Sequence, residues 1–299
     1  MADRTEIIAS KHLGKRSSGS EHYDPSLLVA IPRIENRKQY DITNESLPFE
    51  GYDIWHAYEF SCLTENNLPI TRVIKLKYNC NSEFLVESKS LKLYLNSFNM
   101  SRFGKTIAES LKITRDLIEK DLSQVLQTPV KVMFLENNVE KFEIFKNFKN
   151  ILHFVDETNI KIENFKESPE ILKTNETESV QEHFLTFDSL RSNCRVTHQP
   201  DFGDIFIHYK SKKYIDEVSL IQYLTSFRSE YHFHEECCEM IFKRLKDILN
   251  SNDVLFVCAL YTRRGGIDIC PARWTLNYNY SKFDKLFDIS CFARNGIKQ

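Results

Sequence analysis

The feature that most limits what this chain can fold into is an internal echo. Ser90-Leu91-x-x-Tyr94-Leu95-x-Ser97-Phe98 recurs 129 residues later as Ser219-Leu220-x-x-Tyr223-Leu224-x-Ser226-Phe227. The flanks agree as well. A strand candidate precedes each copy, residues 72–78 and 204–209, the second alternating Ile205, Ile207 and Tyr209 against Phe206 and His208. A helical stripe follows each copy. It is Ile107, Leu111, Ile113, Leu117 and Ile118 in the first half, and Phe233, Cys237, Met240, Ile241, Leu245 and Ile248 in the second. Another strand candidate then closes each unit, Val130–Leu135 and Val254–Tyr261. Shared order over this length is read as duplication. Strands bordering a long helix without βαβ regularity predict an antiparallel sheet with helices on one face, an α+β architecture.

The 299 residues accommodate two domains. Residues 1–22 read as a flexible tail, and 156–182, polar and interrupted by Pro169, as a linker or loose excursion in which Ile160 and Ile162 could form a short strand. The expected modules are therefore 23–178 and 179–299. A formal net charge of −2 gives no electrostatic reason to expect nucleic acid or a membrane surface as partner. No run approaches the roughly 18 apolar residues of a membrane span, and the N-terminus lacks an apolar signal core, so a cytoplasmic protein is expected. The eight cysteines form no C-x-x-C pair and are expected to be reduced, most of them buried.

Four segments could carry chemistry. Residues 192–203, Ser-Asn-Cys-Arg-Val-Thr-His-Gln-Pro-Asp-Phe-Gly, make a polar loop before a strand, with Cys194 seven residues ahead of Asp201. Arg195 or His198 could lower the thiol's pKa and make it reactive; a buried Cys in a turn fits the spacing equally. In Tyr231-His232-Phe233-His234-Glu235-Glu236-Cys237-Cys238, His234 and Cys238 share a helix face, yet a third and fourth ligand are missing, so no metal is expected. Leu85-Val86-Glu87-Ser88-Lys89 could bind a base edge through Glu87 and phosphate through Ser88 and Lys89, or be a solvated loop. Thr262-Arg263-Arg264-Gly265-Gly266 could grip an anion or be a plain turn. With eight glycines and no G-x-G-x-x-G, any dinucleotide must bind without a Rossmann loop.

Taken in order, Glu87-Ser88-Lys89-Ser90-Leu91-Lys92-Leu93-Tyr94, Asn193-Cys194 through Asp201-Phe202-Gly203, Phe233-His234-Glu235 and Arg263-Arg264-Gly265-Gly266 resemble the 7-cyano-7-deazaguanine reductases in their two-module form. The resemblance covers nearly the whole chain from about Tyr23. It implies two tandem tunnelling-fold modules and NADPH-dependent reduction of the nitrile of 7-cyano-7-deazaguanine to an aminomethyl group, a step toward queuosine in tRNA. It further implies Cys194 as the nucleophile that forms a covalent thioimide, and Asp201 as the proton donor, a carboxylic acid with a raised pKa. Leu85, Val86, Glu87, His234 and Glu235 would hold the substrate. Ser88, Lys89, Arg264 and Gly265 would hold NADPH, the paired arginines favouring it over NADH. The substrate is the free base, with no nucleic-acid partner, and a homodimer is implied. A cysteine hydrolase or amidotransferase using Cys194 and His198 or His234, and a silent purine- or pterin-binding protein, are the rival readings. The first would need no nicotinamide, and the second would keep its ligand without Cys194.

Overall fold

The serines of the echo turn out to be helix fasteners, and they do the same work twice. Helix α1 (Ser88–Asn96) is capped by Glu87, and the Ser90 hydroxyl donates to the Glu87 carbonyl at 2.7 Å. The matching helix, α3 (Glu217–Ser226), is capped by Asp216, and Ser219 donates to the Asp216 carbonyl at 2.8 Å. At the far ends Ser97 donates to the Tyr94 carbonyl and Ser226 to that of Tyr223. These bonds give each buried serine hydroxyl a partner within its own helix turn.

The computed structural model describes residues 22–293. The expected N-terminal tail lies, through residue 21, outside the described residues. The elements run β1 (Ala30–Pro32), β2 (Glu50–Leu63), β3 (Pro69–Asn79), β4 (Phe84–Val86), α1, α2 (Ile107–Leu126), β5 (Val130–Leu135), β6 (Thr174–Asn193), β7 (Pro200–Ile215), α3, α4 (His234–Ile248), β8 (Val254–Tyr261) and β9 (Ile267–Trp274), with shorter pieces between. The main sheet has the order β5-β3-β2-β9-β8-β7-β6, and Lys149–Asn150 adds a short eighth strand outside β6. All neighbours are antiparallel except that last one. The second half reads β-β-α-α-β-β. Leaving out β1 and β4, which pair with each other, the first reads β-β-α-α-β, and β2 pairs with β9 from Ala57↔Ile267 to Glu50↔Trp274, so one sheet runs through both halves.

The four helices share one face of this α+β sheet. Helices α3 and α4 cover Ile205, Ile207, Leu255, Val257 and Tyr261, and α1 and α2 cover Trp55, Ile74, Leu76, Val132 and Ile269. The other face is not open. Phe206, Phe256, Cys258 and Trp274 point there and are covered by Phe145, Tyr278, Phe283 and Phe287 from loops and short helical turns, because that much apolar surface is costly in water. The fully buried Lys75 and its neighbour Lys77 tie this cover down, donating to carbonyls of Leu286, Phe287, Asp288 and Cys291.

Two sequence expectations shift. In α2 the buried stripe is Ser110, Thr114, Ile118, Asp121, Leu122 and Leu126, and Ile107 is exposed in the first turn. Asp121 tolerates burial because the hydroxyls of Tyr23 and Tyr94 donate to it at 2.6 and 2.7 Å. The polar stretch 156–182 is less of a linker than its composition predicts. Ile160 and Ile162 pack against the second-half core without forming a strand, and β6 has already begun at Thr174. The 178/179 boundary thus falls inside β6, between Glu176 and Gln181, where its pairing with β7 shifts register.

Candidate active site

Where the halves meet on the helical face, one cavity draws residues from both. It is lined by Trp55, Val86, Ser88, Lys89, Lys92, Cys194, Asp201, His232, Phe233, His234, Glu235, Arg264, Gly265, Ile267 and Ile269. Most of the expected site residues are here. Leu85 and Glu87 flank the cavity without lining it. Leu85 packs against Val29, Ile31 and Phe233. Glu87 is buried, not solvated, and its two carboxylate oxygens accept from the Lys89 and Ser90 backbone N–H groups at 3.0 and 2.7 Å.

Cys194 follows the last residue of β6 in a tight loop. Its N–H donates to the Gln199 carbonyl at 2.8 Å, and the His198 N–H to the Cys194 carbonyl at 2.9 Å, with His198 in the left-handed region at φ 56°. Of the eight cysteines it alone is not buried. The two neighbours expected to tune it face elsewhere. Arg195 lies 3.2 Å from Glu236, and the His198 ring packs on Tyr231. His232 lies between two carboxylates, 3.3 Å from Glu230 and 3.5 Å from Glu236. Burial disfavours its cation, but the two carboxylates outweigh that and raise its pKa.

Asp201 is the second residue of β7 and is almost enclosed. One oxygen is 3.3 Å from His234 Nε2, and the other pairs with Arg264, which also donates to the Thr197 hydroxyl at 2.6 Å. Burial pushes the Asp201 carboxyl up, but His234 and Arg264 prevail and hold it below the usual carboxylate range. This corrects the expectation of a raised pKa, since spacing along a loop does not reveal that a distant arginine will reach it. The raised carboxyl in the cavity is Glu235, at the start of α4. Burial, with Asp53 nearby, pushes it to about 8, and its Oε1 has no hydrogen-bond partner among the described residues. The His234 imidazole lies flat on the Tyr261 ring, the centroids 3.8 Å apart.

The two arginines separate. Arg264 enters the cavity, whereas the Arg263 guanidinium lies 4.7 Å over the Tyr58 ring, in a groove on another part of the surface. Gly265 and Gly266 form the two-residue turn between β8 and β9, with φ of 61° and 80°. Lys92 donates to the Gly265 carbonyl at 2.6 Å, and a Cβ on Gly265 would sit 3.4 Å from the Lys92 ammonium and 3.8 Å from that of Lys89. A bare backbone turn ringed by Lys89, Lys92 and Arg264, beside the N-terminus of α1, suits anionic phosphates. Cys238 and His234 do not form a metal pair, since the Cys238 thiol is directed at the carbonyls of Val257 and Pro271. Sequence reading missed Trp55, Lys92 and Tyr261. Lys92 could have been found, one helical turn after Lys89, but Trp55 and Tyr261 look like ordinary strand residues.

Residues 20–134 match the family model described as the N-terminal part of the nitrile reductase 7-cyano-7-deazaguanine reductase. Residues 200–278 match the model described as QueF-like protein. Among curated proteins, one from Colwellia psychrerythraea is 38% identical over 87% of this chain and 90% of its own length. One from Rickettsia felis is 40% identical over 92% and 96%, and one from Rickettsia massiliae 41% over 90% and 94%. All three carry the name NADPH-dependent 7-cyano-7-deazaguanine reductase.

Proposed function

The chain belongs to the family of NADPH-dependent 7-cyano-7-deazaguanine reductases, and from that premise we propose that it reduces the nitrile of 7-cyano-7-deazaguanine to an aminomethyl group, for queuosine biosynthesis. The observation that carries the proposal is convergence. Cys194, Asp201, His234 and Glu235 of the second half, and Ser88 and Lys89 of the first, line one cavity with Arg264 and Gly265.

A nitrile carbon is a poor hydride acceptor, and covalent addition of sulfur divides the reaction into easier steps. Asp201, ionised between His234 and Arg264, takes the proton of the Cys194 thiol. The sulfur adds to the nitrile carbon, and Asp201 returns the same proton to the nitrogen, giving a thioimide with no net proton uptake. An ionised Asp201 can begin this relay, which an already protonated acid could not. NADPH, when bound, would supply one hydride to each of two successive reductions, and each reduction also takes up one proton at nitrogen. After the first, the C–S bond breaks, Cys194 leaves as the thiol, and an imine remains for the second.

Glu235 anchors the base, its unpartnered oxygen taking donors from the guanidine-like edge. Glu87 contributes only through lone pairs that its helix-capping bonds leave over. Val86 forms the apolar wall, backed by Leu85. Ser88, Lys89, Arg264 and Gly265 hold the NADPH phosphates. The same reading makes the halves tandem tunnelling-fold modules, and the enzyme a cytoplasmic homodimer acting on the free base. Mixing the protein with 7-cyano-7-deazaguanine and NADPH, and following NADPH absorbance, tests the proposal. Two NADPH should be oxidised per nitrile, and none without it; consumption of the nitrile with no NADPH oxidised and ammonia released would defeat it.

A further inference from the structure

Beneath the cavity lies a residue to which no role in the reaction has been given. Tyr261 ends β8, is fully buried, and its ring is parallel to the His234 imidazole within 8°. A stacked ring fixes the plane of an imidazole while leaving its edges free to hydrogen-bond. Here the Nε2 edge meets Asp201 at 3.3 Å. Opposite Tyr261 in the β7–β8 ladder is Gly203. A Cβ there would stand 3.2 Å from the Tyr261 ring, and Gly203 is not among the positive-φ glycines. That glycine therefore gives room to the ring, and to the Leu260 carbonyl oxygen 3.3 Å from the same point, and is not required by its own dihedral angles.

We propose that Tyr261 is a positioning residue for the reaction, holding the His234 imidazole edge against Asp201 in the geometry that proton transfer requires. The inference rests on the reading above, in which Asp201 carries the proton from Cys194 to the nitrile nitrogen. The groups facing Asp201 are His234 and Cys237 from α4, Arg264 from the β8–β9 turn, and Tyr261 itself. With the stack removed, His234 is free to turn away, and Asp201 keeps only Arg264 to hold it ionised. Acid should then silence the relay at a higher pH than in the native enzyme.

The test is the rate of thioimide formation as a function of pH, with 7-cyano-7-deazaguanine and no NADPH, read by mass spectrometry of quenched samples. Tyr261→Phe keeps the ring and should retain the native profile. Tyr261→Leu should shift the acid limb toward neutrality, so that its rate at the acid end falls about tenfold below that of Tyr261→Phe, one unit's change in ionised fraction. Its plateau at higher pH should stay close to native. Gly203→Ala crowds the ring without removing it, should give a smaller shift in the same direction, and serves if Tyr261→Leu does not fold. A Tyr261→Leu profile that overlays the native one, or equal slowing of both Tyr261 variants at every pH, would overturn the inference. A native enzyme that forms no adduct at all would instead overturn the proposed function.

Discussion

Asp201 and Glu235 share a cavity with their carboxyl groups pushed in opposite directions, one down by His234 and Arg264, the other up to about 8 by burial and Asp53. Opposed environments of this kind separate the roles of two acids. If Glu235 accepts from the base as a carboxylate, then below about pH 8 binding must expel its proton. Calorimetry in buffers of different ionisation enthalpy should detect close to one proton released at neutral pH, and affinity should rise with pH until about 8. Proton-neutral binding would remove Glu235 as the anchor. Arg264 touches Asp201 as well as the Gly265 turn, so Arg264→Ala should act twice. We expect a raised KM for NADPH together with slower adduct formation at acid pH, where Asp201 loses a cation that keeps it ionised. An effect on NADPH alone would mean that the ion pair does not matter to the relay. The residues that gather around the cavity were legible from the sequence, but their charge states were not, because those depend on partners more than 30 positions away.

Among the elements, the echo was the most legible feature, since its spacing predicts two like units and the structure shows each serine donating to the carbonyl three residues back in both. Glu87 and Asp216 stand at matching positions of the two copies, which explains why a residue expected at the substrate also works as a helix cap. The turn between β8 and β9 makes a sharper demand. Gly266 has φ of 80°, and a Cβ on it would fall 2.4 Å from the Glu59 carboxyl carbon. The side chain of Glu59 can move aside, so the backbone is the larger cost. Gly266→Ala should destabilise the protein by about 1–2 kcal/mol, the penalty for a left-handed non-glycine residue, and should raise the KM for NADPH without slowing thioimide formation. Denaturant melts and steady-state kinetics would check this, and an unchanged KM would separate the turn from the cofactor. The seam strand pairing, β2 with β9, was not legible, because nothing in two apolar runs says which neighbour each will choose.

At the scale of the whole molecule, the halves are fastened by buried charge as well as by the sheet. Arg33 pairs with Asp53 of β2, Arg273 of β9 lies 2.8 Å from both Asp53 and Glu239 of α4, and Arg37 reaches Glu239 at 2.8 Å. Burial works against ionised Glu239, but the arginines win and hold its pKa at about 2. Because that is below the ordinary carboxylate value, its stabilisation is complete above the ordinary carboxylate range and is lost as pH falls toward 2. Glu239→Gln leaves arginines buried without their counter-charge and should cost about 3–5 kcal/mol. Unfolding should be a single transition in native and variant protein alike, and two separated transitions would show the halves to be independent. The polar composition of 156–182 predicted looser coupling than this, since composition registers exposure and misses that β6 begins within those residues, at Thr174.

The central claim is that Cys194 attacks the nitrile before any hydride arrives. Its most direct test is the intact mass of the protein after incubation with 7-cyano-7-deazaguanine and no NADPH, followed by peptide mapping. The account predicts a gain equal to the whole substrate, located on Cys194, absent from Cys194→Ala, and discharged when NADPH is added. An adduct on another cysteine, or a Cys194→Ala protein that still reduces the nitrile, would contradict it.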